Sequence, residues 1–284
     1  MMDRRSFVKV AAGAAAGSMF GLTRGVRALA SEVAMGTSLD KIGVQLYTVR
    51  TLMQEDFPGT LKAVADAGYA EVEFAGYFDH EAEEVRALLE RLSLDAPAAH
   101  VPIDVLRQDL AGTIALARTI GHRYLVCPWL APAERGSIGG YQKLAAFFND
   151  VGKACRDAGL HFAWHNHEFE FEPIDGTVPF DVLLDETDPD LVEFELDLYW
   201  ITKGGADPFA YFERYPGRFT LCHVKDMAAD GEMVDVGAGQ MDFASIFARA
   251  DQAGLKHYFV EHDSPADPIA SITASHAYLS ALEF

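Results

Sequence analysis

The run LHFAWHNH at residues 160–167 alternates apolar side chains with imidazoles. Successive side chains of a strand point in opposite directions, so Phe162 and Trp164 share one face while His165 and His167 share the other. Similar short apolar runs recur along the chain, each followed by an amphipathic segment that closes on Gly or Pro. This repeat predicts an α/β fold in which strands alternate with helices.

Eight strands are predicted, at Ile42–Tyr47, Ala70–Ala75, Ala96–Val101, Tyr124–Trp129, His161–Asn166, Val192–Leu198, Thr220–Lys225 and Tyr258–Asp263. Eight helices are predicted, near Pro58–Ala67, Glu81–Leu92, Leu106–Ile120, Tyr141–Ala158, Pro179–Glu186, Asp207–Arg214, Phe243–Ala253 and Pro268–Leu282. Eight such units favour a (β/α)8 TIM barrel that forms a single domain over residues 31–284. A doubly wound sheet is the alternative, but the glycine-rich phosphate-binding turn after its first strand is missing.

The amino-acid composition limits the classes of molecule that the protein is expected to bind. The 284 residues include 23 Lys and Arg against 43 Asp and Glu, a formal net charge of −20. An acidic surface repels nucleic acid backbones and anionic lipid headgroups, so neither is expected as a partner. Three cysteines, Cys127, Cys155 and Cys222, are too few for a disulfide framework and are predicted to be small buried residues.

The first thirty residues are predicted to be a twin-arginine export signal. Arg4 and Arg5 are followed by Phe7, Lys9 and a run of small apolar residues, and Ala28-Leu29-Ala30 has the small-x-small pattern of a signal peptidase site. The apolar run is too short to anchor the chain in a bilayer. We therefore expect the export machinery to be one partner, no stable membrane insertion, and a periplasmic or secreted mature protein that begins near Ser31.

Polar side chains recur on the inward faces of four successive strands, near the carboxyl end of each. By alternation, the inward residues are His165 and His167 on the fifth strand, Glu193, Glu195 and Asp197 on the sixth, His223 and Lys225 on the seventh, and Glu261 and Asp263 on the eighth. Isolated charges are rarely buried without a partner. Imidazoles and carboxylates that converge on one barrel mouth can share a divalent cation.

The earlier strands add candidate contacts for a polyhydroxylated substrate. Gln45, Glu73 and His100 are predicted to lie inward at the ends of the first three strands. Trp129 ends the fourth predicted strand and Trp200 lies just after the sixth, where an aromatic face can stack on a sugar ring. Asn166 and His167 complete the predicted substrate-binding set, and the expected partner is a small sugar.

Five motifs in order, each near a predicted strand end, carry a family resemblance. They are GVQLY at residues 43–47, WHNH at 164–167, LDLYW at 196–200, HVKD at 223–226 and FVEHD at 259–263. From about Lys41 onward the chain resembles the xylose isomerase-like superfamily and, more narrowly, the exported sugar phosphate isomerase/epimerase-like barrels. The resemblance implies a TIM barrel with its active site at the carboxyl ends of the strands.

The resemblance also implies one divalent metal ion, held by Glu, Asp, His and Glu from strands five to eight. Asp197, His223 and Glu261 match three of these ligands in type, whereas His165 stands where relatives have glutamate. Mg2+ or Mn2+ suits an oxygen-rich site, and two imidazoles shift the preference toward Zn2+, Co2+ or Mn2+.

The expected chemistry is proton abstraction next to a carbonyl through an enediolate, giving isomerisation or epimerisation of a free sugar or keto-sugar. Glu261 is the predicted base, Lys225 the group that neutralises developing charge, and Glu170 a candidate second carboxylate. A lyase or hydratase acting on the same intermediate and a non-catalytic carbohydrate-binding barrel remain open. An endonuclease of this superfamily is opposed by the acidic charge. The sequence leaves homo-oligomer formation open.

Overall fold

The computed structural model describes residues 37–284, so the predicted leader lies outside the described residues. Eight parallel strands form a closed barrel in which each strand pairs with its neighbours in the chain and the last pairs with the first. They are β1 Gly43–Gln45, β2 Glu71–Phe74, β3 Asp95–His100, β4 Tyr124–Cys127, β5 His161–His165, β6 Val192–Asp197, β7 Phe219–Val224 and β8 His257–Val260. The predicted TIM barrel is confirmed.

The helices surround this barrel, and many begin at a residue whose side chain satisfies the first free amides. They are α1 Arg50–Glu55, α2 Phe57–Asp66, α3 Ala82–Leu92, α4 Ile103–Ile120, α5 Ile138–Asp157, α6 Pro179–Glu186, α7 Leu198–Lys203, α8 Pro208–Arg214, α9 Phe243–Phe247, α10 Ala250–Ala253 and α11 Pro268–Ala281. Asp56, Ser137 and Asp267, for example, each accept a hydrogen bond from a backbone amide of the helix that follows. Among the described residues, no helix is long and apolar enough to cross a membrane.

The helices differ from the prediction in several places. The short helices α1 and α7 were not predicted, and α5 begins at Ile138 rather than Tyr141. The segment predicted at Phe243–Ala253 is split into α9 and α10. The helix predicted from Leu106 begins earlier, at Ile103, and leaves helical geometry at Asp109, where φ is −149° and ψ is 67°. The Asp109 carboxylate accepts a hydrogen bond from the amide of Gly112 at 2.8 Å and so caps the second part of α4.

The alternation predicted for the strands is confirmed by two separate cores. Small and aromatic side chains fill the barrel interior, namely Ala98, Tyr124, Val126, Ala163, Leu221 and Phe259. The opposite faces pack against the helices; Trp164, Phe194 and Cys222 are examples. Ala163, Leu221 and Phe259 share their parity with His165, His223 and Glu261, and so these polar residues also belong to the inward set.

The three cysteines are buried free thiols, as predicted. Burial raises the pKa of Cys127 and Cys155, the latter to about 12. Both thiols are therefore protonated near neutral pH, and they act as small apolar side chains in the core.

Candidate active site and metal centre

The predicted metal ligands meet at the carboxyl ends of four adjacent strands. His165 ends β5, Asp197 ends β6, His223 is the penultimate residue of β7, and Glu261 directly follows β8. One ligand atom from each lies within 4.8 Å of those from the other three, and all four residues are buried. The structure thus brings together four residues that lie far apart in the chain.

The register between the strands sets these positions. Asp197 pairs with His223 across β6 and β7, after a register shift between Phe194 and Glu195. Such an irregularity re-aims the side chains that follow it, which is common at barrel rims. Asn166 then holds the end of β6, because its amide oxygen accepts a hydrogen bond from the Asp197 backbone N–H at 2.9 Å.

The distances suit a cation between the four side chains. His165 Nε2 lies 3.3 Å from Asp197 Oδ2, and His223 Nδ1 lies 3.7 Å from that oxygen and 2.8 Å from Glu261 Oε2. The buried Nδ1 of His223 has no partner with hydrogen-bond geometry among residues 37–284. Two imidazoles and two carboxylates with a free nitrogen between them are a donor set that fits a divalent metal ion.

The ammonium group of Lys225 contacts the same carboxylates. Its Nζ lies 3.1 Å from Asp197 Oδ2, 2.8 Å from Glu261 Oε2 and 2.8 Å from Asp263 Oδ1. Burial by itself would lower the pKa of Lys225, but the three carboxylates outweigh it and hold the pKa well above its ordinary value. The side chain is therefore a buried ammonium ion.

The two metal-facing carboxylates titrate differently. Burial raises the pKa of Asp197 to about 6, although Lys225 and His223 oppose the shift. Burial also acts to raise the pKa of Glu261, but Lys225 and His223 dominate and lower it below its ordinary value. Glu261 is therefore ionised near neutral pH, and Lys225 and His223 stabilise its charged form.

A second cluster adjoins the first through His223 and was missed as a unit by the sequence analysis. His223 Nε2 lies 2.7 Å from Glu73 Oε2 and 3.2 Å from Glu195 Oε2, and His100 Nε2 lies 2.8 Å from that same Glu195 oxygen. Gln45 donates to Glu73 at 2.8 Å. Strand alternation predicted that Glu195 points into the barrel, but alternation does not show which residues an inward side chain contacts.

A cavity of about 380 Å³ opens onto the first cluster. Its walls are formed by Tyr47, Ala75, His100, Pro102, Pro128, Trp129, His165, His167, Lys225, Glu261 and Asp263. This volume accommodates a small molecule, and the walls combine the aromatic side chains of Tyr47 and Trp129 with several charged groups. His100 and His167, both predicted to contact substrate, lie on these walls.

Four other predicted site residues do not line the cavity. Gln45 and Glu73 have no exposed surface; the Gln45 side chain donates a hydrogen bond to Glu73, and Glu73 is hydrogen-bonded to His223. Asn166 is also fully buried, and its side-chain amide forms hydrogen bonds with the backbone of Asp197. Trp200 packs 5.5 Å from the ring of His167, and its backbone N–H donates to Asp197. These four residues support the site from outside its walls.

Glu170 is a further correction. Its Oε2 accepts a hydrogen bond from the backbone N–H of His167 at 2.9 Å and closes a capping box around the turn Glu168–Phe171. The side chain is fully buried, does not line the cavity, and burial raises its pKa well above the ordinary value. In this position the carboxyl group caps a turn and does not reach the cavity wall.

Asp226, part of the HVKD motif, organises the loop after β7. Its carboxylate accepts hydrogen bonds from the backbone amides of Met227, Gly237, Gly239 and Met241 at 2.8–3.1 Å. A hairpin surrounds Asp230, with Asp226–Met227 pairing antiparallel to Met233–Val234. In turn, Met233 Sδ accepts a hydrogen bond from the backbone N–H of Asp263, so this loop braces the wall next to Lys225.

Solved structures with this architecture resemble the chain over most of its length. A sugar phosphate isomerase/epimerase from Parabacteroides distasonis ATCC 8503 is 25% identical, covers 85% of this chain and 98% of its own, and has a TM-score of 0.75. The IolI protein with a bound zinc atom is 13% identical, with a TM-score of 0.68 over 86% of this chain and 99% of its own. This second likeness concerns the fold alone.

Curated relatives are similar over shorter stretches. An inosose dehydratase from Lacticaseibacillus casei is 26% identical over 163 residues, which are 50% of this chain and 54% of the relative. The chain thus spans about half the length of that protein. An inosose dehydratase from Geobacillus kaustophilus (strain HTA426) is 23% identical over 246 residues, covering 69% of this chain and 79% of the relative.

A family model described as "Xylose isomerase-like TIM barrel" matches residues 61–282, a stretch that includes β2 to β8 and all four residues of the candidate metal centre. The chain therefore belongs to the xylose isomerase-like TIM barrel family.

Proposed function

We propose that this protein is a divalent-metal-dependent enzyme that removes a proton next to a carbonyl group of a sugar or keto-sugar. The observation that carries the proposal is the meeting of four ligand atoms within 4.8 Å, three of them from residues that also line the cavity or touch its ammonium ion. Relatives named as isomerases, epimerases and dehydratases support a reaction of this class.

His165, Asp197, His223 and Glu261 would hold the ion. When bound there, a divalent cation supplies Lewis acidity toward a carbonyl oxygen and an adjacent hydroxyl. Zinc is the ion bound in the IolI protein, and the two imidazoles of this chain are compatible with Zn2+, Co2+ or Mn2+.

Glu261 is the proposed base. It is an ionised carboxylate on the cavity wall, so it can take up a proton from a carbon atom of a bound substrate. Lys225 lies beside it and also lines the cavity, where its ammonium group can stabilise negative charge on a substrate oxygen. Asp263 accepts a hydrogen bond from Lys225 at 2.8 Å and would remain its partner if Asp197 and Glu261 held a metal ion.

The site is asymmetric, which favours chemistry on one face of the substrate. Epimerisation needs an acid or base on each face, but Glu170 points away from the cavity and His165 replaces the second metal-bound glutamate. Burial, reinforced by His223, lowers the pKa of His165 well below its ordinary value, so the imidazole is uncharged near neutral pH, as a metal ligand must be. Isomerisation and elimination each need proton abstraction on one face only.

Elimination is the second candidate, and the dehydratase names of the curated relatives favour it specifically. In that reaction Glu261 takes the proton next to the carbonyl, and the bond between the β-carbon and its oxygen substituent breaks. The electron pair leaves with the oxygen, which takes up a proton, and a carbon–carbon double bond remains. A hydroxyl leaving group gives a dehydratase, and a sugar–aglycone bond gives a glycoside lyase.

Metal analysis and isotope exchange test the proposal. Protein purified without chelator should hold about one divalent ion per chain. Incubation of candidate keto-sugars in deuterated water should exchange a C–H, and Glu261→Gln should abolish that exchange. Glu71→Gln, at the amino end of β2, is the control that should retain it. A wild-type protein that binds sugars without exchanging any C–H is the carbohydrate-binding barrel instead.

We also propose that residues 1–30 direct export by the twin-arginine route. The support is the Arg4-Arg5 pair with Ala28-Leu29-Ala30 in the sequence. Fusing residues 1–30 to a reporter that is active only after folded export should give activity, and replacing Arg4 and Arg5 with Lys should remove it.

A further inference from the structure

Large apolar side chains with more than a third of their surface exposed are few among residues 37–284. Four stand out: Tyr47, Val105, Leu116 and Trp129, with exposed fractions of 36–45%. Tyr47 and Trp129 line the cavity above the candidate metal centre. Val105 and Leu116 line a second cavity. Exposed apolar surface that gathers at cavities is typical of ligand-binding sites.

The second cavity measures about 520 Å³ and adjoins the first. Ala75, His100 and Pro102 form part of the walls of both. Their shared walls place the second cavity directly beside the site where the sugar is expected to bind.

The walls of the second cavity are mainly apolar. Its aliphatic wall residues are Val101, Pro102, Val105, Leu116 and Leu125, from β4, from α4 and from the turn before α4. The Asp109 carboxylate, also at this cavity, is already bonded to the amide of Gly112. A Cβ atom on Gly112 would lie 2.1 Å from Asp109 Oδ2, so glycine lets the carboxylate approach the amide that it caps. The bend carries Val105 and Leu116, on opposite sides of it, to the same cavity.

We propose that the second cavity binds the apolar aglycone of a glycoside whose sugar occupies the first cavity. The inference rests on the proposed function and deepens it, because it names glycosides with an aromatic or alkyl aglycone as the substrate class. A free monosaccharide carries hydroxyl groups around its ring and gains nothing from five aliphatic wall residues. An apolar aglycone buries its surface there, which strengthens binding roughly in proportion to the area covered.

Binding of two unreactive ligands tests this inference. Methyl β-D-glucopyranoside and 4-nitrophenyl β-D-glucopyranoside lack a carbonyl next to a C–H, so they bind without turnover. We expect the metal-loaded protein to bind the aryl glucoside at least tenfold more tightly by calorimetry. Val105→Glu with Leu116→Glu should remove this preference and leave the affinity for the methyl glucoside unchanged. Ala111→Glu with Ala115→Glu, exposed on the same helix but outside the cavity, should retain it.

4-Nitrophenol alone separates failure of the inference from failure of the proposed function. If it binds the wild-type protein and the control but not the Val105→Glu, Leu116→Glu variant, the apolar subsite stands, even if no keto-sugar exchanges a C–H. Equal affinities for the two glucosides in the wild-type protein would overturn the inference and leave the metal chemistry intact. An aryl preference that survives in the Val105→Glu, Leu116→Glu variant would overturn it as well.

Discussion

Glu73 Oε2 lies 2.7 Å from Nε2 of His223, while the opposite nitrogen of that imidazole faces Asp197 and Glu261. A carboxylate that accepts the Nε2–H leaves the lone pair on Nδ1, where a metal ion can use it. Carboxylates behind metal-binding histidines set the tautomer and ring orientation in this way. Gln45 in turn orients the carboxylate by donating to it.

Replacement of Glu73 should therefore weaken metal binding without removing a residue that lines the cavity. We expect Glu73→Gln to reduce the affinity for Zn2+ or Co2+ by about 10- to 100-fold, as measured by competition with a chelator. Glu71→Gln is the matched control, since Glu71 is also buried on β2 and accepts from His257 at 2.7 Å, at the other end of the barrel. An equal loss in both variants would contradict an orienting role for Glu73.

His165 distinguishes this chain from the glutamate-containing pattern that the family resemblance implies. Removing its imidazole in His165→Ala should lower metal affinity at least about tenfold, because one of four ligands is lost. His165→Glu should restore binding and shift the preference toward Mg2+ or Mn2+, which favour oxygen ligands. His167→Ala, which removes the neighbouring imidazole on the cavity wall, should leave metal content unchanged. Unchanged metal content in His165→Ala would remove His165 from the ligand set.

Lys225 and a bound cation would neutralise the same carboxylates. Lys225→Met leaves Asp197 and Glu261 without their ammonium partner, and loss of one member of a buried ion pair costs about 3–5 kcal/mol. Added Mn2+ or Zn2+ should then raise the melting temperature of the variant more than that of the wild-type protein. Lys62→Met, at an exposed pair with Asp66, should behave like wild type. A smaller metal-induced shift in Lys225→Met would show that the ammonium ion and the metal do not share these carboxylates.

His122 should make stability depend on pH. Burial lowers its pKa to about 4, although the carbonyl of Ala96 partly opposes the shift; Glu73, Arg123 and Asp95 contribute smaller charge effects. The unfolded chain binds a proton at His122 below about pH 6.5, whereas the folded chain does so only near pH 4. The contribution of neutral His122 to the free energy of unfolding is therefore retained above pH 6.5. It is lost as the pH falls from about 6.5 to about 4.

Because of this single residue, the free energy of unfolding should be about 2 kcal/mol lower at pH 5 than at neutral pH. Urea unfolding of the wild-type protein and of His122→Gln at pH 7 and pH 5 measures the effect as the difference between their pH dependences. The ring packs against Phe74, and its Nε2 lies 2.9 Å from the hydroxyl of Tyr77, so glutamine also lowers stability at pH 7. Identical pH dependences for the two proteins would contradict the prediction.

Much of the fold and part of the site followed from local patterns in the sequence. Strand alternation is a property of the backbone itself, so the inward parity of His165, Asp197, His223 and Glu261 could be deduced before any contact was known. The strand-helix order, together with the missing glycine-rich turn of a doubly wound sheet, favoured the barrel. The same alternation could not separate Glu73, which lies behind a ligand, from His100, which lines the cavity.

Only the tertiary structure decided how deeply each side chain is buried, in which register the strands pair and where the loops run. The register shift near Glu195 and the short β1 determine which inward residues end at the cavity and which bond to one another beneath it. The fold also buried Glu170, which caps the amide of His167, and placed the bent helix α4 beside a second cavity. Register and burial depend on contacts between residues distant in the chain, whereas side-chain alternation is a property of the local backbone. For that reason the sequence by itself determined the alternation, and the tertiary structure decided which side chains meet.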